Sequence, residues 1–403
     1  MQQTLENEDK DTAKKIVDFF LGGAELLLDV LQKEFPALEG ILSLVQFGLN
    51  CFSGESNDMQ FVKDSFQTID NKLRVLSLDL QNVMKELKKM NIDRMFSETE
   101  SNIKYLFKLW TDVLNAAPQY RQWRKDEFMQ QCSLLSAESC IHNLYDAVKK
   151  KGNSSLLESI KDYEEMHLRN IQHFFEGLLK LFYSGLIVSV AYRKMKQENT
   201  DDMEDKWKEN LEEVTSLMNS VIDECTNKFQ DQAKTDLENL VIRYNGNTES
   251  KVSNQQLAKE ITDFLEDKYH WVSWSVRVYE ESKSFFPFSR KYDDAFGNNF
   301  FRISSVSNNP SCKIAVSFCV DPKPIEKSKI ENTLASMKKK PTAENVAKCI
   351  SDGIPVHVVH IVNQKGSQFA CSFPVDHHYY VYTQDISICI HSDKLAVKQQ
   401  NQN

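Results

Sequence analysis

The stretch VKDSFQTIDNKLRVLSLDLQNVMKELKKM, Val62 to Met90, carries Val62, Phe66, Ile69, Leu73, Leu76, Leu80, Val83, Leu87 and Met90 in alternating steps of four and three. That spacing returns an apolar side chain to the same stripe of an α-helix at every turn. Sustained over roughly four heptads, it is the seam along which long helices pack side by side. A helix over this stretch is about 45 Å long at 1.5 Å per residue, longer than a compact domain is wide. The reading predicts a mainly α protein, an elongated bundle of long antiparallel helices.

Toward the N-terminus, Ile16, Phe19, Phe20, Ala24, Leu27, Leu28 and Leu31 recur at helical spacing between Asp11 and Lys33, with Gly22 and Gly23 weakening the middle. The segment from Phe35 to Phe52 follows. It is apolar nearly all round, through Leu38, Ile41, Leu42, Leu44, Val45, Phe47 and Leu49, and is interrupted by Glu39, Gln46 and Asn50. A helix of that composition is buried by protein or by lipid.

Toward the C-terminus, two shorter helices are expected over 101–115 and 125–150, divided at Ala117 and Pro118. A long helix is expected from Ser154 to Lys196, through Ile160, Tyr163, His167, Ile171, Phe174, Leu178, Leu181, Gly185, Val188 and Tyr192. Its partner runs from Met203 to Tyr244, with a four-residue step from Cys225 to Phe229 that breaks the heptad register like a stutter. The short polar link Gln197 to Asp202 makes the two an antiparallel hairpin. One more helix, Asn254 to Lys268, precedes a change of period from 3.6 to 2. His270, Val272, Trp274, Val276 and Val278 then alternate with Trp271, Ser273, Ser275 and Arg277. Further strands are expected at 314–320, 356–362, 379–383 and 386–391, with a helix at 342–351 among them. The organisation predicted is a helical bundle over 11–268, a smaller α+β module containing a small antiparallel sheet over 269–396, and disordered tails at 1–10 and 397–403.

Composition narrows the function. The 49 Lys and Arg are outnumbered by 58 Asp and Glu, and no basic run exceeds the triplets at 149–151 and 338–340, so nucleic acid is not an expected ligand. Nine cysteines, odd in number, scattered and without a CxxC pair, indicate reduced thiols and neither a disulfide framework nor a zinc module. The acidic, polar start MQQTLENEDK is not a signal peptide, so a cytoplasmic protein, or one released by another route, is expected, with membrane association left open.

Three sets of residues are candidates for function. Phe174 to Tyr192 holds nineteen residues of which Glu176 and Lys180 are the charged ones, close to the length that crosses a bilayer. Within it Phe174, Phe175, Leu178, Leu179, Phe182, Leu186, Ile187 and Val190 would face lipid after a rearrangement, together with the apolar residues of 35–52. A pair of charges at i,i+4 also fits the central helix of a soluble bundle. The second set is the aromatic cluster Phe285, Phe286, Phe288, Tyr292, Phe296, Phe300 and Phe301, a contact loop or the plug of a core joint. The third is His357, His360, His377, His378 and His391. A His-x-x-His spacing on a strand sends its two rings to opposite faces, so no metal site is expected, and a nucleophilic Cys349 or Cys371 beside a histidine is equally disfavoured. No GxSxG, Walker, dinucleotide or HExxH motif is present, and no enzyme, small-molecule cofactor or metal is expected.

The helix HLRNIQHFFEGL through GLIVSVAY (167–192), the strand entry DKYHWVSWSVRVY (267–279) and the ending ICIHS (388–392) together resemble the rapunzel and cephalotoxin-like proteins of animals. The resemblance implies a helical body similar to α-pore-forming toxins, a β-containing tail and no enzymatic activity or cofactor. It transfers no functional residue. The function expected is membrane action through the apolar helices, or else a soluble scaffold whose long helices contact other proteins or a second copy.

Overall fold

The computed structural model describes residues 2–22, 26–32, 35–53, 59–87, 93–150, 155–246, 253–280, 293–306, 309–337, 342–363, 368–371, 376–382 and 386–393. Among them the chain is mostly helical and forms two compact units, Met1–Lys228 and Phe229–Asn403.

The first unit is all helix: α1 Gln2–Leu21, α2 Leu27–Val30, α3 Ala37–Ser53, α4 Met59–Leu87, α5 Asp93–Asn115, α6 Pro118–Leu135, α7 Ala137–Lys149, α8 Leu156–Tyr163, α9 Leu168–Met195 and α10 Asp201–Asn227. The seam that opened the sequence reading is α4, and its described apolar residues Val62, Phe66, Ile69 and Leu73 are buried. Helix α1 begins at Gln2, inside the stretch expected to be a tail, and stops at Leu21, where the two glycines begin.

Two of the helices expected in this unit are each broken. Residues 154–196 divide into α8 and α9, because Glu165 and Met166 adopt φ of 47° and 61° between them. The 125–150 helix divides at Ser136, with φ of 49°. Positive φ at residues with a Cβ is held in place by tertiary contacts and not by local preference.

Two glycines permit close helix crossings. A Cβ on Gly185 of α9 would lie 2.4 Å from Cγ2 of Ile141 on α7, and one on Gly40 of α3 would lie 2.6 Å from the carbonyl oxygen of Thr12 on α1.

The second unit contains α11 Phe229–Gly246 and α12 Asn254–Lys268, then β1 Ser273–Glu280, β2 Asp293–Phe296, β3 Phe300–Val306, β4 Asn309–Cys319, α13 Lys327–Ser336, α14 Ala343–Gly353, β5 Val356–Asn363, β6 Gln368–Cys371, β7 His378–Tyr382 and β8 Ile386–Asp393. The helix expected over 203–244 is therefore two helices parted at Lys228, next to the break in register. The unit boundary precedes the 268/269 division read from the sequence, because α11 and α12 pack on strands: Ala233, Leu237, Leu257, Ile261 and Leu265 share a core with Trp274, Val276, Ile314 and Val316.

Two antiparallel four-stranded sheets stand where one small sheet was expected, in the orders β3-β4-β1-β6 and β2-β5-β8-β7. The first lies against α11 and α12, and the second covers Ile330, Val346 and Ile350 of α13 and α14 with Val359, Ile361, Ile388 and Ile390. The remaining faces of the sheets meet each other, so the unit is layered helix, sheet, sheet, helix.

The layer between the sheets is polar. Ser275, Arg277, Ser317, His360, Ser387 and His391 are all buried there, beside Tyr279, Cys389 and the half-buried Phe300.

Candidate functional site

Helix α9 is sheathed. Every residue from Phe174 to Ala191 is buried, and the candidate lipid-facing side chains Phe174, Phe175, Leu178, Leu179, Phe182, Leu186, Ile187 and Val190 are at most 3 % exposed. Its neighbours are α3, α5, α7 and α10, so its apolar surface is met on all sides, as an all-round apolar helix requires in water. Among the described residues it is the one helix long and apolar enough to cross a membrane.

The Phe35–Phe52 segment is less than was expected. It contains the 17-residue α3, short of the roughly 20 residues a span needs. Leu38, Ile41, Leu44 and Val45 are buried, while Phe35, Leu42, Phe47 and Leu49 are half-buried. The side chain of Phe52 lies outside the described residues.

The charged pair in α9 is internal. Lys180 bonds to Glu176 one turn earlier, donates to the carbonyl oxygen of Gly22 at 3.1 Å and lies 5.4 Å from the ring centroid of Phe19, all in one pocket against the end of α1. Both side chains are at most 4 % exposed. Burial pushes the Glu176 carboxyl up, but the hydrogen bonds and charges of His173 and Lys180 outweigh it and hold the group below its usual range. Burial pulls the Lys180 ammonium below its usual range against the opposing attraction of Glu176.

At the far end of α9, Arg193 grips Glu138 of α7 with two bonds, 2.5 Å and 3.0 Å, and reaches Asp202 of α10 at 3.1 Å. The hairpin is thereby tied to a third helix. On α6, by contrast, Tyr120 and Trp123 are 59 % and 57 % exposed and line a surface hollow of about 440 Å³ with Asp112, Asn115 and Arg124.

Of the aromatic cluster, Phe285, Phe286, Phe288 and Tyr292 lie outside the described residues. Phe296, Phe300 and Phe301 sit on strands. Phe296 packs toward α14, Phe301 lies on the α12 side of its sheet, and Phe300 lies tilted against the His360 ring in the inter-sheet layer.

The histidines separate as the strand period dictates for His357 and His360: His360 points between the sheets against Tyr279 and Phe300, and His357 is on the other face of β5. The other three converge. His378 and His391 are paired across β7 and β8 with ring centroids 4.2 Å apart, and with His377 their ring nitrogens lie within 4.8 Å of one another. Burial first, then the charges of His378, Arg277, His377 and His357, keep His391 well below the ordinary imidazole range. Register brought this cluster together, and no spacing in the sequence announces it. Cys349 is exposed on α14, whereas Cys389 receives a 2.9 Å bond from Nη1 of Arg277.

A sheathed apolar helix inside a bundle of long helices, followed by a unit of two small sheets, defines the class as a mainly helical protein with a β-containing second unit. Residues 53–246 match the cephalotoxin-like middle helical domain. Protein rapunzel of Danio rerio is 22 % identical over 174 residues, covering 42 % of this chain and 77 % of rapunzel. SE-cephalotoxin of Acanthosepion esculentum is 20 % identical over 267 residues, 64 % of this chain but 24 % of that protein, so the chain spans about a quarter of its length. No solved structure matches. The resemblance to the rapunzel and cephalotoxin-like proteins read from the sequence is borne out.

Proposed function

We propose that this chain is a non-enzymatic, membrane-acting protein of the α-pore-forming-toxin type, stored in a closed form in which α9 is covered. The observation that carries the reading is the burial of the apolar stretch Phe174–Ala191 of α9, whose two charges, Glu176 and Lys180, neutralise each other internally. A pair of that kind lowers the cost of placing the helix in either a protein core or lipid, since neither charge is left alone. The similarity to SE-cephalotoxin, named as a toxin, supports the direction of the reading, and the exposed Tyr120 and Trp123 are ring types suited to a first contact at a headgroup interface.

Liposome flotation and dye-leakage assays on the purified chain test it. The expected result is lipid association with release of dye under at least one condition of pH and lipid composition. Full dye retention without flotation across all of them overturns it. A second reading, a soluble interaction protein, is favoured by the same Tyr120 and Trp123 hollow, because exposed aromatics beside Arg124 are common anchors for protein partners. In that case Tyr120→Ala with Trp123→Ala abolishes partner capture while the chain never floats with lipid.

A further inference from the structure

The edge of the inter-sheet layer holds more organisation than packing demands. Nε2 of His377 lies 2.9 Å from the Ser273 hydroxyl, and Nε2 of His391 lies 3.3 Å from the same oxygen. Two ring nitrogens, one from the residue preceding β7 and one from β8, are thus aimed at one point. The opposite ring nitrogens each face an oxygen: Nδ1 of His391 is 2.9 Å from Oγ of Ser317, and Nδ1 of His377 is 4.0 Å from a carboxylate oxygen of Asp376. His378, stacked on His391 and 4.7 Å from the His377 ring, supplies a third imidazole.

At His391 that is the arrangement seen around protein-bound transition metals, where the nitrogen remote from the metal is held by a hydroxyl, carbonyl or carboxylate so that the other presents its lone pair; at His377 the carboxylate stands beyond hydrogen-bond distance. We propose that His377, His378 and His391 bind one zinc ion, which clamps the start of β7 to β8 beside Ser273 of β1.

The donor set selects the class of ion. Three imidazoles, grouped among the described residues without a thiolate or a carboxylate, suit zinc and its neighbours, and offer nothing to calcium or magnesium, which take oxygen ligands. Nitrogens now within 4.8 Å of one another must close to roughly 3.4 Å, the edge of a tetrahedron around zinc at about 2.1 Å. Rotation of the imidazoles about Cβ–Cγ, with Ser273 or water as the fourth ligand, supplies that movement. The ion has a way in, since the side chain of His377 is 18 % exposed while His378 and His391 are covered. The site does not depend on membrane action.

The test is zinc titration of the metal-stripped full chain at neutral pH, read by bound metal per chain and by thermal unfolding, with cobalt as a spectroscopic probe. One equivalent bound, a rise in the unfolding temperature, and a cobalt spectrum of tetrahedral intensity without thiolate charge-transfer bands support the site. His377→Ala, at the partly exposed edge, should fold and lose at least tenfold in affinity. Ser317→Ala, which leaves all three ligands in place, should lose about 10- to 100-fold. Absence of binding at micromolar zinc, equal binding by wild type and His377→Ala, or thiolate bands in the cobalt spectrum overturn it.

Discussion

Lys180, in the middle of α9, donates a hydrogen bond to the carbonyl oxygen of Gly22, 3.1 Å away and far off in sequence, while its ammonium is neutralised by Glu176. One buried side chain thus joins the central apolar helix to the end of α1. Loss of either charge leaves the other buried without its opposite charge one turn away, whereas loss of both leaves an apolar pair. Lys180→Met is therefore expected to destabilise the chain by about 3–5 kcal/mol, and Glu176→Leu added to it to recover most of that loss. Urea unfolding of the two single variants and the double variant checks this; additive losses would show that the pair is not coupled.

The same carboxylate sets an acid dependence. Glu176 is held below the ordinary glutamate value of about 4.5, so its contribution to stability is complete above that pH and is lost as pH falls through the depressed value in the folded state. Unfolding temperature measured between pH 7 and pH 3 should decline below about 4.5. In Glu176→Gln the starting stability is lower and the decline shallower. If the closed form opens to reach lipid, leakage by the wild type should rise over that same interval.

Gly185 is occupied by glycine because α7 leaves no room for more. Gly185→Ala drives a methyl to within 2.4 Å of Ile141 and should cost about 1–3 kcal/mol. Gly353, at the end of α14, has nothing within 4 Å of an added Cβ, and Gly353→Ala should change stability by no more than about 0.5 kcal/mol. Differential scanning calorimetry of the two variants is sufficient.

Arg277 is fully buried, its bonds run to Ser275, Ser317 and Cys389, and its Nε and Nη2 have no hydrogen-bond partner among the described residues. An ion without a carboxylate partner in the interior is a net cost, which an apolar side chain of similar volume removes. Arg277→Met is expected to leave the second unit as stable or more stable, read by thermal unfolding. A loss of several degrees would assign the guanidinium a structural role beyond these bonds.

Tyr120 and Trp123 lie outside any core, so replacing both with alanine should leave the unfolding temperature nearly unchanged. Flotation with anionic vesicles should weaken in the same variant. Unaltered flotation would remove α6 from the contact surface.

Much of the architecture was legible from spacing. Helix α12 and helix α14 begin within a residue of expectation because Ser253 and Thr342 cap them, accepting bonds from the backbone of Gln256 and Asn345 at 3.2 Å. The breaks at Ser136 and at Glu165 and Met166 were not legible as helix ends, since none carries a glycine or proline and the apolar stripe runs on past each, whereas the one at Lys228 showed in the sequence as a step in the heptad register and not as a helix end. Strands β2 and β6, four residues each, are too short to establish a period. The burial of α9 was open in the sequence between protein and lipid, and in the structure protein covers it.

What the sequence determined by itself was the kind of element at each place and the residues that share a face, because periods of 3.6 and 2 are properties of the local backbone. It set α4 as a long helix, α9 as an apolar one, and Trp274, Val276 and Val278 as one side of a strand. Only the tertiary structure decided what each face meets. It placed a second sheet against Ser275 and Arg277, set Gly22 against Lys180, and brought His391 opposite His378, because strand pairing and helix crossing depend on contacts between residues far apart in the chain.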